Sequence, residues 1–298
     1  MSTPHRGQIG AGPPGLPGRV VPERLEMRIA SWNINSVRLR IDLVARLAAE
    51  AKPDVLCLQE TKCPDDRFPH KAVRAMGFEH VAIHGQKGYH GVAILSRLPM
   101  EDVHVRDFCA MGDSRHLAAS VASPQSGRRM RIHNFYVPAG GDEPDATVNP
   151  KFAHKLSFVD EMIAWFASAD RELTGDGDAL MLGDLNIAPH PDDVWSHRKL
   201  LNVVSHTPGE TDRLLAAQDA FGWVDLVRQH HPVPDKLYTW WSYRARDWEA
   251  ADKGRRLDHV WGSPGLAPLC SRAEVLKDAR GWERPSDHAP VIVDLAGW

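Results

Sequence analysis

The stretch Ala179-Leu180-Met181-Leu182-Gly183-Asp184-Leu185-Asn186 places an acid and an amide directly after a run of apolar residues. A short apolar run followed by glycine is typical of a buried strand that ends at the protein surface. Because side chains alternate along a strand, Asp184 and Asn186 would point to the same side of an extended chain. An acid that only caps a turn would leave the same pattern, so this segment alone fits a structural or a functional role.

The same arrangement recurs at three other predicted strands. The apolar run at 55–58 is followed by Glu60, the first predicted strand carries Asn33 and Asn35, and Asp287 precedes the last predicted strand. Magnesium prefers oxygen ligands and is often held by only one or two carboxylates. Acids and amides at several buried strands therefore predict a site for a hard divalent cation.

Glu60 is the strongest single candidate for a direct metal ligand, although a surface ion pair with Lys62 is the alternative for this residue.

Asp258 and His288 suit a different role. A carboxylate bonded to one imidazole nitrogen fixes the tautomer and favours the charged ring, which can then donate to an anionic oxygen. The spacing does not establish that these two residues meet, and the chain contains 16 histidines.

The composition is that of an ordinary globular protein of 298 residues, 43% apolar and 25% charged. A formal net charge of −3 means that any nucleic-acid surface must be a local basic patch. The four cysteines show no paired metal-ligand spacing, which predicts free thiols and a cytoplasmic location. No apolar run approaches the ~20 residues of a membrane span.

Residues 1–26 are rich in glycine and proline and lack strand or helix periodicity, so we expect a disordered tail. The segment has no apolar core of signal-peptide length, so secretion is not expected. Met27 directly precedes the first predicted strand, and translation could start there or at Met1.

The rest of the chain, 27–298, reads as one domain because no linker or repeat divides it. Helices are predicted at 41–52, 67–76, 150–170, 211–220 and 223–229. Strands are predicted at 28–34, 55–58, 78–84, 91–96, 102–107, 117–122, 131–137, 179–183, 256–261, 270–276 and 289–295. Many strands adjoin without an intervening helix, which favours an α/β or α+β protein with mixed sheets over a doubly wound parallel one. The helix at 150–170 is predicted to bury Phe152, Leu156, Val159, Ile163 and Phe166.

The chain has no nucleophile elbow, no phosphate-binding P-loop and no dinucleotide glycine fingerprint. Metal-assisted hydrolysis with water as the nucleophile is the chemistry that remains. The segment 238–256 interleaves aromatic and basic residues, a pattern that suits nucleic-acid stacking and phosphate contact. Some of these rings could instead be core, and we expect this of Tyr238 and one tryptophan.

Eight segments in order resemble the exonuclease III family of apurinic/apyrimidinic endonucleases, within the endonuclease/exonuclease/phosphatase superfamily. They are Ser31-Trp32-Asn33-Ile34-Asn35, Leu58-Gln59-Glu60-Thr61-Lys62, His84-Gly85-Gln86-Lys87-Gly88, Asn134-Phe135-Tyr136-Val137-Pro138, Gly183-Asp184-Leu185-Asn186, Trp241-Ser242-Tyr243-Arg244, Arg256-Leu257-Asp258 and Ser286-Asp287-His288-Ala289-Pro290. The resemblance implies a four-layer, DNase I-like α/β sandwich with two mixed sheets face to face and helices outside. It also implies Mg²⁺ or Mn²⁺ as the cofactor. The implied activities are incision of DNA 5′ to abasic sites and 3′–5′ exonuclease or 3′-end cleaning in base excision repair.

The resemblance also implies roles for individual residues. Metal binding is expected at Asn33, Asn35, Glu60, Asp184, Asn186, Asp287 and His288. Catalysis is expected at Tyr136, Asp184, Asn186, Asp258 and His288. DNA contact is expected at Arg38, Lys87, Arg115, Trp240, Trp241, Arg244, Arg255 and Leu257. The partner would be double-stranded DNA with abasic sites or blocked 3′ ends, bound by a monomer.

Two departures from the family leave the balance between endonuclease and exonuclease action open. Ala139 stands where relatives often have a polar residue, and Arg255 stands where some have a pocket tryptophan. Two other functions remain as alternatives. A phosphoinositide or sphingomyelin phosphodiesterase would turn over lipid head groups rather than abasic DNA, and a DNA-binding protein with a degenerate site would bind without cleaving.

Overall fold

The computed structural model describes residues 26–123, 126–168 and 170–298. The predicted tail lies outside these residues except for Glu26, which already belongs to the first strand. Within the described ranges the strands are β1 (Glu26–Asn33), β2 (Val55–Gln59), β3 (His80–His84), β4 (Val92–Ser96), β5 (Met100–His104), β6 (His116–Ala122), β7 (Arg129–Tyr136), β8 (Asp178–Asp184), β9 (Val224–Asp225), β10 (Trp240–Trp241), β11 (Gly254–Arg255), β12 (Asp258–Gly262), β13 (Cys270–Val275) and β14 (Val291–Ala296). The helices are α1 (Ile41–Glu50), α2 (His70–Ala75), α3 (Pro150–Ala167), α4 (Arg171–Thr174), α5 (His197–Leu200), α6 (Pro208–Phe221), α7 (Leu226–His230) and α8 (Trp248–Ala251).

Two six-stranded sheets form the centre of the molecule, with strand orders β13-β14-β1-β2-β4-β3 and β5-β6-β7-β8-β12-β9. Each sheet is mixed because a parallel pair lies at its centre, β1 with β2 in the first and β7 with β8 in the second. Parallel neighbours end at the same edge of their sheet. The carboxyl ends of these four strands therefore present Asn33, Gln59, Tyr136 and Asp184.

The sheets pack face to face around one apolar core, and helices cover both outer faces. The inner core includes Ile29, Val55 and Ile94 from the first sheet and Ile132, Leu182 and Val260 from the second. The first outer core joins α1 and α2 to its sheet through Val44, Leu47, Val73 and Leu56. The second joins α3 and α6 to theirs through Phe158, Met162, Leu214 and Met181. The predicted four-layer sandwich is confirmed.

Helix α3 begins as its sequence suggests, because Asn149 accepts a hydrogen bond from the Lys151 backbone N–H and Pro150 opens the first turn. Its predicted buried face is partly wrong. Leu156 and Ile163 are only half-buried, whereas the charged Lys155 is fully buried. An apolar periodicity cannot show a buried lysine whose partner lies on another helix. Among the described residues, no helix has the length and apolar content needed to cross a membrane.

Candidate active site

Gly183 allows β8 to approach β7 where the two strands reach the site. Its φ is +135°, and a Cβ atom there would lie 2.0 Å from the carbonyl oxygen of Phe135. Only glycine tolerates this combination of backbone angle and close approach. The neighbouring residues Tyr136 and Asp184 are paired in register, so their side chains enter the site next to each other.

Asn33 connects the two sheets at this edge. Its Nδ2 donates to Glu60 Oε1 at 3.0 Å and to Asp184 Oδ2 at 2.8 Å. The side chain is fully buried, and its Oδ1 accepts from the backbone N–H of Asn35 at 3.0 Å. One carboxamide thus fixes the distance between an acid of the first sheet and an acid of the second.

The predicted metal ligands Glu60, Asn35 and Asp287 lie close together on the first-sheet side. Asn35 Nδ2 donates to Asp287 Oδ1 at 3.1 Å, and the indole N–H of Trp240 donates to Asp287 Oδ2 at 2.9 Å. Burial raises the pKa of Asp287, but His288 and the Trp240 hydrogen bond lower it overall. Burial likewise opposes ionisation of Glu60, but Lys62 and the Asn33 hydrogen bond lower its pKa overall.

The ammonium of Lys62 already contacts two of these oxygens, which shows that they suit a cation. Its Nζ lies 2.7 Å from both Glu60 Oε2 and Asn35 Oδ1. The ion pair expected under the alternative interpretation of Glu60 therefore exists, but it lies inside the site and not on an open surface. The Glu60 carboxylate and the Asn35 amide oxygen already hold an ammonium, and the Asp287 carboxylate is hydrogen-bonded to the same Asn35 side chain. Together these oxygens form a donor set that fits a hard divalent cation.

Asp184 and Asn186 form a tight unit at the end of β8. Asp184 Oδ1 accepts from the Asn186 backbone N–H at 2.9 Å, and the Asn186 side chain donates to the carbonyl oxygen of Val137 at 2.9 Å. Asn186 has a positive φ of 54°, a strained conformation of the kind often found at functional sites. Burial raises the pKa of Asp184 to about 7, against the opposing effect of His288. A carboxyl with this pKa can act as a base near neutral pH.

His288 and Asp258 meet, which the sequence spacing could not establish. His288 Nδ1 lies 2.8 Å from Asp258 Oδ2, and His288 Nε2 lies 3.7 Å from Asp184 Oδ2. Burial favours the neutral ring, but Asp258 and Asp184 raise the pKa of His288 to about 10. The three side chains also lie within the mutual distances of a metal cluster. A protonated imidazole can donate a hydrogen bond but has no lone pair for a metal, so the two roles exclude each other and the predicted ligand role of His288 stays a prediction.

Tyr136 donates its hydroxyl to Glu60 Oε1 at 2.9 Å. Burial, followed by the charges of Glu60 and Asp184, raises its pKa well above the ordinary value, so the phenol is neutral and remains a donor. Arg115 lies against its ring, 5.0 Å from the centroid, and also donates to the backbone oxygen of Tyr136. Arg115 is only 7% exposed and pairs with Asp113, so the structure places it in support of Tyr136, and its predicted direct DNA contact stays a prediction.

A cavity of about 540 Å³ opens beside these groups. Glu60, Asn186, Asp287 and His288 line its polar side. Its other walls include Ala139, Gly141, Trp195, Val204, Ser205, Trp240, Arg244, Lys253, Arg255 and Leu257. The Arg255 guanidinium lies 5.4 Å from the Trp240 ring centroid and donates to Val204 O and Ser205 Oγ. Three predicted DNA-contact residues, Trp240, Arg255 and Leu257, thus share one wall.

The remaining predicted DNA-contact residues differ in exposure. Arg38 and Lys87 are exposed and line a second cleft of about 470 Å³, and Arg244 is exposed at the rim of the first cavity. Trp241 is only 2% exposed, and its indole N–H donates to Asp252 Oδ1 at 3.0 Å. The prediction that Trp241 stacks on DNA is therefore corrected, and Trp241 is the one core tryptophan expected of this segment. Tyr238 is half-buried against it.

Sequence reasoning missed the residues that hold the acids in place. Thr239 Oγ1 donates to Asp258 Oδ2 at 2.6 Å and accepts from the backbone N–H groups of Leu257 and Asp258. Ser286 Oγ donates to the backbone oxygen of Asn33 at 2.6 Å. A single hydroxyl residue beside an acid carries no signal strong enough to predict such a bond.

The comparisons with known proteins agree with this geometry. The Endonuclease/Exonuclease/phosphatase family model matches residues 30–288. Exodeoxyribonuclease III of Haemophilus influenzae is 29% identical over 90% of this chain and 100% of its own length. The structure of an AP endonuclease from Archaeoglobus fulgidus aligns with a TM-score of 0.81 at 31% identity, covering 91% of this chain and 100% of that one. A 3′–5′ exonuclease (NExo) from Neisseria meningitidis aligns with a TM-score of 0.80 at 35% identity and the same coverage. With its two acids joined by Asn33 and its Asp258–His288 pair, the chain belongs to the Endonuclease/Exonuclease/phosphatase family, within the exonuclease III group of AP endonucleases.

Proposed function

We propose that this chain is a divalent-metal-dependent DNA-repair nuclease that incises DNA 5′ to abasic sites and removes nucleotides or blocking groups from 3′ ends. The observation that carries the proposal is the Asn33 carboxamide, which holds Glu60 and Asp184 together beside the 540 Å³ cavity. An acid suited to a metal and an acid suited to a base would then act on the same phosphodiester. The names of the relatives, exodeoxyribonuclease III, AP endonuclease and 3′–5′ exonuclease, describe the same chemistry.

Mg²⁺ is the proposed metal, with Mn²⁺ as a substitute, and Glu60, Asn35 and Asp287 would hold it with support from Asn33. When bound, the ion would neutralise charge on the phosphate. The side chains around the metal site supply the other contacts to the phosphate. The protonated ring of His288 donates to a non-bridging phosphate oxygen, and Asp258 keeps that ring charged and oriented. Donors fixed before the reaction stabilise developing charge without further reorganisation.

Asp184 is proposed to take the proton from the attacking water. Its pKa, raised to about 7 by burial, supports this role at neutral pH. Asn186 orients the carboxylate through its backbone N–H. The neutral hydroxyl of Tyr136 is placed to donate to the phosphate or to the leaving oxygen, since its pKa is raised far above neutrality.

Substrate binding is proposed to use local rather than global charge. Arg38 and Lys87 lie in one cleft and Arg244, Lys253 and Arg255 line the other, so a backbone could contact both. An abasic sugar can leave the helix at low stacking cost and enter a small pocket beside Trp240. We propose that a monomer acts in this way in the cytoplasm.

A cleavage assay tests the proposal with three labelled duplexes, containing an abasic analogue, a 3′-phosphate or no lesion, each with Mg²⁺ and with EDTA. We expect Mg²⁺-dependent incision 5′ to the analogue and release of the 3′-phosphate, with loss of both in EDTA. Phosphoinositide and sphingomyelin serve as competing substrates. Hydrolysis of a lipid head group without cleavage of either damaged duplex would contradict the proposal, and so would DNA binding without cleavage.

A further inference from the structure

Lys155 of α3 and Glu210 of α6 form an ion pair in the core behind the active site. Lys155 Nζ lies 2.5 Å from Glu210 Oε1, and both side chains are completely buried. A buried pair of this kind is costly to desolvate and is weak evidence for stability by itself. The segments that the pair contacts beside the active site are therefore more informative about its role than its effect on stability.

The ammonium of Lys155 contacts two segments that line the active-site cavity. It donates to the backbone oxygen of Asn186 at 2.8 Å and to that of Ala139 at 3.3 Å. Gly140 lies directly on the lysine stem, since a Cβ at this residue would be 2.9 Å from Lys155 Cδ and its φ is +87°. The loop after β7 and the turn after β8 are thus both fixed by one side chain.

The carboxylate of Glu210 holds a third segment. It accepts from the backbone N–H of Ser205 at 2.9 and 3.0 Å, and from the backbone N–H and hydroxyl of Thr207 at 3.1 and 2.7 Å. Ser205 in turn accepts from Arg255 on the cavity wall. The pair therefore connects the turn at Asn186 to two walls of the substrate cavity, one at 139–141 and one at 204–205, where Arg255 is bonded.

We propose that the Lys155–Glu210 pair is a positioning element of the active site, which sets Asn186 and the cavity walls at 139–141 and 204–205 relative to each other. The proposal rests on the proposed nuclease function, because Asn186 orients the base and these walls receive the substrate. Neither side chain reaches the substrate, so the effect is transmitted through backbone positions. A displacement of about 1 Å at such positions can lower a rate by about 100-fold.

The test separates positioning from simple stability by comparing single and double variants. Lys155→Met leaves Glu210 charged and unpaired, so the melting temperature should fall by about 5–10 °C and kcat on the abasic duplex by about 100-fold. Lys155→Met with Glu210→Gln removes both charges, and we expect at least half of the lost melting temperature to return. In the double variant kcat should remain at least about 30-fold low because the bonds to Asn186 and Ala139 are still missing. DNA affinity should fall much less than kcat, since the phosphate contacts proposed for Arg38 and Lys87 lie in the other cleft.

Asp294→Asn is the matched control. It weakens the ion pair between Arg28 and Asp294, which lies at the ends of β1 and β14 that point away from the active site. It should lower the melting temperature without lowering kcat. Hydrogen–deuterium exchange provides a readout independent of activity, and peptides covering 137–142 and 185–188 should exchange faster in the double variant but not in the control.

Recovery of kcat to within about threefold of the parent together with the melting temperature, or unchanged exchange in both peptides, would overturn the proposal. The double variant decides the matter if Lys155→Met does not fold. A parent protein that cleaves neither damaged duplex would instead refute the proposed function, which is a distinguishable result.

Discussion

Asn33 Nδ2 lies 2.8 Å from Asp184 Oδ2, and this hydrogen bond joins the end of β1 in one sheet to the end of β8 in the other. The same nitrogen lies 3.0 Å from Glu60 Oε1. The separation of the two acids therefore depends on how the sheets pack face to face. The inner core of the sandwich thus sets the geometry of the site as well as the stability of the fold.

Asn33→Ala should lower kcat for abasic-site incision by about 100-fold, because both acids lose the donor that orients them. The loss of stability should be about 1–3 kcal/mol, since the buried Asp184 oxygen loses a partner. Steady-state kinetics and chemical unfolding measure the two effects.

Asn134→Ala is the control for this variant. Asn134 Oδ1 accepts from Gln59 Nε2 at 2.7 Å, so it also bridges the sheets, but it bonds to neither acid. It should cost comparable stability with a much smaller loss of kcat. Equal losses of kcat in the two variants would mean that sheet contact in general, and not the bond to the acids, controls the rate.

Glu60→Gln should lower incision by about 100- to 1,000-fold while fold and DNA binding persist, because the amide keeps the shape but lacks the charge for a divalent cation. In a Mg²⁺ titration, the Mg²⁺ concentration that gives the half-maximal rate should be higher for the variant, because it binds the cation more weakly. Glu50→Gln, an identical change on the exposed surface of α1, should have no effect. Full activity of Glu60→Gln would remove the metal assignment.

Much of the fold was predictable from local patterns. Apolar runs such as 55–58 and 179–183 predict strands that the structure confirms as β2 and β8, and polar residues at their ends indicate the site edge. The two-residue strands β9, β10 and β11 were not predicted, because such short strands are set by tertiary pairing rather than by periodicity.

The supporting residues could not be predicted, because their partners are distant in sequence. The buried charge of Lys155 is matched by Glu210 on α6, 55 positions later in the chain, and Thr239 reaches Asp258 only through the fold. Arg115 shows the converse limit, since a basic residue in a predicted loop suggests DNA contact, whereas the fold packs its guanidinium against the ring of Tyr136. Residue type indicates the chemistry of a site, but burial decides which groups are available to a substrate.

Arg38→Gln should weaken DNA binding uniformly across sequences and reduce the slope of log K against log salt by about 1, because Arg38 is exposed in the 470 Å³ cleft and is proposed to contact a phosphate. Fluorescence anisotropy at several salt concentrations measures the slope. Lys52→Gln removes the same charge beside Asp54 and Arg97, in a cleft that contains none of the site residues, and should leave the slope unchanged. An unaltered slope for Arg38→Gln would exclude it from the DNA interface.

The pH dependence of the parent protein should follow the two buried acid–base groups. Asp184 must be ionised to accept a proton, so activity should rise as pH increases through about 7. His288 must be protonated to donate, so activity should fall as pH increases through about 10. A pH–rate profile of kcat on the abasic duplex, at saturating metal, measures both limbs. A profile that is flat between pH 6 and 9 would contradict the assignment of Asp184 as the base.

Asp258→Asn should move the alkaline limb of that profile to lower pH. Burial alone lowers the pKa of His288, and Asp258 is the largest of the causes that raise it, so without this carboxylate the ring loses its proton well below pH 10. The ratio of variant to parent activity should therefore fall as pH increases from 6 to 9. Stability should show the same sign, because a folded pKa above the ordinary 6.5 makes the parent's advantage full below about pH 6.5 and lost as pH rises toward 10. A ratio of activities that stays constant across this range would mean that Asp258 only fixes the position of His288 and does not set its charge.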